Sequence, residues 1–116
     1  MKLKALMPSL REKKRYVAFE VISESPINKA SAENTIMETY KEYYGKFGLA
    51  KANLIMLEDW KTQNNTSKGI MFVNNKYTDA LKSCFSLIKE INNKKVIVKC
   101  LGVSGILKKA KFRYLN

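Results

Sequence analysis

Four short runs of β-branched and aromatic residues, set between two stretches of helical periodicity, constrain this chain more than anything else in it. The runs are Tyr16-Val17-Ala18-Phe19-Glu20-Val21-Ile22, Asn53-Leu54-Ile55-Met56-Leu57, Gly69-Ile70-Met71-Phe72-Val73 and Val96-Ile97-Val98-Lys99-Cys100-Leu101. Each is too short for a helix and rich in residues that suit a pleated, half-buried surface. After the first run, Ser25-Pro26 reads as an N-cap with proline at the first helical position. The helix it opens runs to about Lys46, with Ile36, Met37, Tyr40, Tyr44 and Phe47 on one face, and Gly45 and Gly48 are expected to stop it. Trp60 to Ser67 reads as a polar turn that makes the second and third runs a hairpin. Thr78 or Asn75 can cap a second helix carrying Ala80, Leu81, Cys84, Leu87, Ile88 and Ile91, which Asn92-Asn93 ends. Beyond the fourth run, Gly102 to Gly105 turns the chain into a short basic helix.

The order β-α-β-β-α-β admits few topologies. Right-handed crossovers place both helices on one face of a four-stranded antiparallel sheet, an α+β, ferredoxin-like or RRM-like sandwich. The other sheet face is expected to be open to a partner, the face that RNA-recognition modules use. At 116 residues with 46% hydrophobic content the chain suits one domain, residues 1–116, with a basic arm at 1–13 and a basic C-terminal helix at 104–116.

Charge sets the class of partner. The chain holds 22 Lys and Arg against 10 Asp and Glu, a formal +12. Residues 1–58 carry ten basic and seven acidic side chains, residues 59–116 twelve and three, and no acid follows Lys94. Such a field favours a polyanion, because each neutralised phosphate releases counterions. With no histidine, the usual general base and commonest metal ligand are missing. Cys84 and Cys100 are too few for a zinc site or a disulfide framework and read as buried reduced thiols. Glu58-Asp59, adjacent at a strand end, point to opposite faces, so a metal shared between them is not expected. No apolar stretch is long enough for a signal peptide or a membrane span, so a soluble, intracellular protein is expected, with no membrane partner. The sequon Asn64-Asn65-Thr66 then marks only a polar loop.

Three segments bear on binding. Lys68-Gly69-Ile70-Met71-Phe72-Val73-Asn74-Asn75 meets the ribonucleoprotein consensus at Lys68, Gly69, Phe72 and Val73 and fails at Ile70 and Asn75, where stacking rings belong. Ile70 and Phe72, on one face, are therefore read as a surface for a protein partner. On a helix from about Gly105, Ile106, Leu107, Ala110 and Tyr114 form an apolar arc, while Lys108, Lys109, Lys111 and Arg113 occupy the rest with Phe112 among them. Ser104 and Gly105 put free backbone N–H groups at its start, where a phosphate can sit. The run Arg11, Lys13, Lys14, Arg15 precedes the first strand. These eight basic residues are the candidate RNA-phosphate contacts, and no catalytic constellation accompanies them.

Two long segments, Pro8-Ser9-Leu10-Arg11-Glu12-Lys13-Lys14-Arg15-Tyr16-Val17-Ala18-Phe19-Glu20 and Leu101-Gly102-Val103-Ser104-Gly105-Ile106-Leu107-Lys108-Lys109-Ala110-Lys111, resemble the archaeal ribonuclease P protein component 2 family. That family is related to a eukaryotic ribonuclease P/MRP subunit. Tyr43-Tyr44-Gly45, Lys51-Ala52-Asn53 and Gly69-Ile70 follow in the family's order, while Trp60 to Thr66 departs from it. The resemblance implies a cytoplasmic, non-catalytic subunit of the endonuclease that removes the 5′ leader from precursor tRNA. In that enzyme the ribonuclease P RNA does the chemistry with Mg2+, and the chain itself binds no cofactor. The implied protein partner is ribonuclease P protein component 3, with a homodimer inside a two-plus-two assembly. Two other readings stand beside it: a free-standing RRM-like module that binds single-stranded RNA through Phe72, and a small enzyme acting on a phosphorylated substrate.

Overall fold

The computed structural model describes residues 14–115. In chain order the elements are β1 (Lys14–Ser23), α1 (Lys29–Ala52), β2 (Ile55–Gln63), β3 (Thr66–Asn74), a 3-10 turn (Asn75–Tyr77), α2 (Thr78–Leu87), β4 (Glu90–Ile91), β5 (Lys94–Ser104) and α3 (Leu107–Ala110). The last helix continues as a wider π-type turn over Lys111–Leu115. The strands form one antiparallel sheet in the order β2-β3-β1-β5-β4, the curled sheet of a ferredoxin-like α+β fold with three helices. Register slips at Ala18/Phe19 against β5 and between Met56 and Trp60 against β3 add bulges, which increase twist.

Period-two alternation sorts the strands' side chains. Val17, Phe19 and Val21 of β1, Met71 and Val73 of β3, and Val96 and Val98 of β5 face inward against Ile36 and Tyr40 of α1 and Leu81, Cys84 and Phe85 of α2. Phe19 lies with its ring centroid 5.1 Å from that of Phe85 and 6.0 Å from that of Trp60. Each such side chain gains about 1.5–3 kcal/mol from leaving water.

The outer face is not open along its whole length, as the four-stranded picture anticipates. Ala18 and Ile70 are sealed by Ala110 and Leu115, with Tyr16, Leu57, Leu101, Leu107 and Tyr114 packed around them. The terminal helix therefore docks its apolar arc on the sheet rather than lying outside the folded body. Gly102 permits this, because a Cβ there would collide with the Tyr114 ring.

Other boundaries move for identifiable reasons. Ile27 is buried, so the connection stays extended through it, and Asn28 rather than Ser25 caps α1. The Asn28 side chain accepts from the Ser31 N–H at 2.7 Å. Gly45 does not end the helix. Its φ of 76° breaks the regular path, and the chain resumes helical geometry to Ala52, where Asn53 caps it in the left-handed region. Trp60 to Gln63, expected as turn, belong to β2, and the hairpin turn contracts to Asn64-Asn65. Trp60 reaches the inner side, where its indole N–H donates to the Ile27 carbonyl at 3.2 Å. A fifth strand replaces the expected end of the second helix. Asn92 and Asn93, with φ of 54° and 64°, make a two-residue hairpin turn that pairs Ile91 with Lys94.

Candidate nucleic-acid interface

Strand pairing brings the two ends of the chain together. Tyr16 of β1 stands opposite Ser104 of β5, so Lys14 and Arg15 lie beside the entry to α3. The Arg15 guanidinium donates to the Lys14 carbonyl at 3.0 Å and sits 3.3 Å from where a Cβ on Gly105 would be. Lys14 holds its ammonium 5.6 Å from the Phe72 ring centroid. That ring is in turn edge-on to Tyr16, at 5.8 Å and 76°. Such a cation–π contact contributes about 0.5–1 kcal/mol at an exposed site and orients the lysine at the sheet's end.

Along the terminal helix, Lys108, Lys109 and Arg113 point to solvent while Ala110 and Leu115 are buried. Lys111 differs, because its ammonium pairs with the Asp59 carboxylate of β2 at 3.0 Å. Of the eight candidate phosphate contacts, Lys14, Arg15, Lys108, Lys109 and Arg113 thus gather on β1 and the adjoining helix without a carboxylate within ion-pair distance among the described residues. Lys111 is engaged, and Arg11 and Lys13 lie outside the described residues. Ile106 leaves the expected apolar arc and is 51% exposed, and Phe112 is exposed as its polar-side position implies. The Ser104 hydroxyl accepts from the Ile106 N–H at 3.1 Å, one residue before the four-residue helix, whose own first turn has no side-chain cap.

The protein-partner surface expected at Ile70 and Phe72 needs correction. Ile70 is fully buried beneath the chain's own Ala110 and Leu115, and Phe72 is half-buried. Gly69, which matches the ribonucleoprotein consensus, faces the other way, where a Cβ would strike the Trp60 ring. Exposed aromatics lie elsewhere. Past Tyr40, which is buried, Tyr43, Tyr44 and Phe47 on α1 are exposed, Phe47 at 85%. Helical spacing alone assigns Tyr44 and Phe47 to the core face; Tyr44 keeps that register, its ring centroid 4.6 Å from that of Tyr40, but lies at the exposed edge, and Phe47 follows the break at Gly45. A glycine inside an aromatic helical stretch is the signal that could have flagged them.

Cys84 and Cys100 are free thiols, Cys84 buried and donating weakly to the Ile36 carbonyl at 3.8 Å. Burial pushes the Cys84 thiol up to about 11, unlike a reactive cysteine, whose thiolate is favoured. Among the described residues no three His, Cys, Asp or Glu side chains gather to hold a metal, and no helix is long and apolar enough to cross a membrane.

Residues 15–115 match the sequence model of the Rpp14/Pop5 family. The chain is 38% identical to ribonuclease P protein component 2 of Methanocaldococcus jannaschii, over 98% of this chain and 81% of that protein. It is 36% identical to the Pyrococcus horikoshii protein of the same name, over 98% and 92% of the two chains. With the Thermococcus gammatolerans protein the identity is 39%, again over 98% and 92%. A chain in the cryo-EM structure of yeast ribonuclease MRP shares the fold, with a TM-score of 0.60 at 16% identity over 82% of this chain and 76% of that one.

Proposed function

The chain belongs to the Rpp14/Pop5 family of ribonuclease P/MRP protein subunits, and from that premise we propose that it binds the catalytic RNA of ribonuclease P and stabilises its active fold. As a subunit of an endoribonuclease complex it has RNA and protein partners. The chemistry of removing the 5′ leader from precursor tRNA falls to the RNA and its Mg2+, in the cytoplasm, while this chain neutralises backbone.

The observation that supports the reading is the meeting of Lys14 and Arg15 with the helix bearing Lys108, Lys109 and Arg113. Base stacking on Phe72, the alternative, is disfavoured because Tyr16 and Lys14 already engage that ring and Ile70 beside it is sealed. Replacing Lys108, Lys109 and Arg113 by Ala should reduce the slope of log K against log salt on ribonuclease P RNA by about 2–3. In reconstitution with that RNA and component 3, the same variant should need more Mg2+ for precursor-tRNA cleavage. An unchanged slope, or no stimulation by the wild-type chain, would count against the reading.

Component 3, and the two-plus-two assembly with a second copy of this chain, require an apolar surface. Tyr43, Tyr44 and Phe47 supply one on α1, in the helical layer across the sheet from the terminal helix. Phe47→Ala should weaken co-purification with component 3 and leave the salt slope on RNA alone unchanged; intact association would remove α1 from that interface.

A further inference from the structure

The part of the outer sheet face that α3 leaves uncovered carries charges in strand register. Lys61 of β2 stands opposite Lys68 of β3, Lys68 opposite Glu20 of β1, and Glu20 opposite Lys99 of β5. Directly opposed residues in an antiparallel pair share a face, with Cβ atoms about 4.5–5.5 Å apart. Four strands thus build one transverse line of three ammonium groups and one carboxylate. None of the four makes an ion pair, the pair among the described residues being Lys111 with Asp59. Lys61 facing Lys68 is a like-charge opposition, which costs a sheet stability unless an anion lies between.

A cleft of about 360 Å³ opens at this line, lined by Glu20, Lys61 and Lys68, by the polar Gln63, Asn64 and Thr66, and by Leu115, where the terminal helix stops. Its volume falls within the range of small-ligand clefts, about 300–1,000 Å³. We propose that this cleft is a second RNA subsite that holds one unpaired nucleotide, with phosphate on Lys61 and Lys68 and the amino edge of the base on Glu20. The inference rests on the RNA-binding reading above and adds a separate place on the chain.

Glu20 decides for a nucleotide over a bare phosphate track. A carboxylate within a basic row repels phosphate, but it accepts hydrogen bonds from the exocyclic amino group of a base such as cytosine. The lysines and the carboxylate then take different parts of one ligand. Gln63, Asn64 and Thr66 add side chains that can donate or accept. Among the described residues no aromatic side chain lines the cleft, so the base is read by its edge and not by stacking. An edge read in this way must be unpaired, because the base edges of an A-form duplex are engaged or buried in its groove. The terminal helix connects the two contacts, since Gly105 adjoins Arg15 and Leu115 borders the cleft.

The test is fluorescence anisotropy of the full chain with labelled single-stranded oligo(C) and oligo(U) 12-mers, and with ribonuclease P RNA. Oligo(C) should bind about 3- to 10-fold tighter than oligo(U), the value of one hydrogen bond lost with uracil. Glu20→Ala should erase that preference without weakening oligo(U). Lys61→Ala with Lys68→Ala should lower the salt slope on oligo(C) by about 1.4, two single-strand phosphate contacts, with unfolding by urea unchanged or slightly improved. Equal affinity for the two oligonucleotides, or an unchanged slope, overturns the subsite. If the Lys108, Lys109 and Arg113 variant still loses its own slope, the broader RNA reading survives that failure; a wild-type chain that binds no RNA ends both. Loss of component 3 binding alone in the Lys61 and Lys68 variant would overturn the subsite in favour of an acidic protein segment.

Discussion

The two faces of the sheet are made by alternate residues of the same strands, yet they are finished differently. On β1, Val17, Phe19 and Val21 all pass beneath two helices, a continuous apolar layer from one end of the strand to the other. On the opposite side, Ala18 lies sealed under the terminal helix while Glu20, the next residue on that face, opens into a polar cleft. The inner face is one core; the outer face is a small apolar patch next to a charged one. Stability concentrates on the first face, and the second can carry binding groups because little packing depends on them.

The largest expected effect is on the inner face. Phe19→Ala removes a ring lying against Phe85 and Trp60 and should cost about 3–5 kcal/mol in urea unfolding. A loss below about 1 kcal/mol would mean that the inner layer is not the main core.

Alkali should strike the same face. Burial pushes the Cys84 thiol up to about 11 and, with Tyr44 adding to it, the Tyr40 phenol up to about 12, from ordinary values of 9.0 and 10.0. Both groups stay protonated longer in the folded chain, so the unfolded chain sheds their protons first. The stability they contribute is complete below about pH 9 and is lost as pH climbs toward 11 and 12, on the order of 2 kcal/mol for each group. Chemical denaturation against pH should show this fall, and Cys84→Ala should flatten its lower part. A flat profile would leave the two groups without the burial the inner layer assigns them.

A smaller effect belongs to the outer face. Gly102→Ala puts a Cβ into the Tyr114 ring and should lift the terminal helix at a cost of about 1–3 kcal/mol. Hydrogen exchange should rise over residues 107–115 and on the outer side of β3, while α1 and α2 keep their protection. Equal loss of protection in both layers would merge the two faces into one cooperative unit.

Much of the architecture was legible in local pattern. The four long strands follow from β-branched runs, and both main helices from their apolar spacing. The fifth strand was not, because two residues cannot announce a period and Asn92-Asn93 serves equally as a helix stop or a left-handed hairpin turn. The extension of β2 through Lys61, Thr62 and Gln63 was hidden by polarity, since a half-solvated hairpin carries the residues that loops carry. Of the candidate site, local pattern groups the basic residues of the terminal helix, but the capture of Lys111 by Asp59 depends on a strand far away in sequence. Ile70 was misread for the same reason: its burial comes from Ala110 and Leu115, which no local pattern connects to it.

By itself, the sequence determined the order of the four long strands and the main helices, the positive balance, the absence of histidine and the membership in a family of ribonuclease P/MRP subunits. Those are properties of composition and of short-range periodicity. The tertiary structure alone decided which half of the outer face closes, that Arg15 meets Gly105, and that Lys61, Lys68, Glu20 and Lys99 fall in one row. A strand's period of two assigns each side chain to a face but not to a neighbour across the sheet. That neighbour is set by turns and bulges acting over the whole sheet, as a register that strand pairing alone supplies.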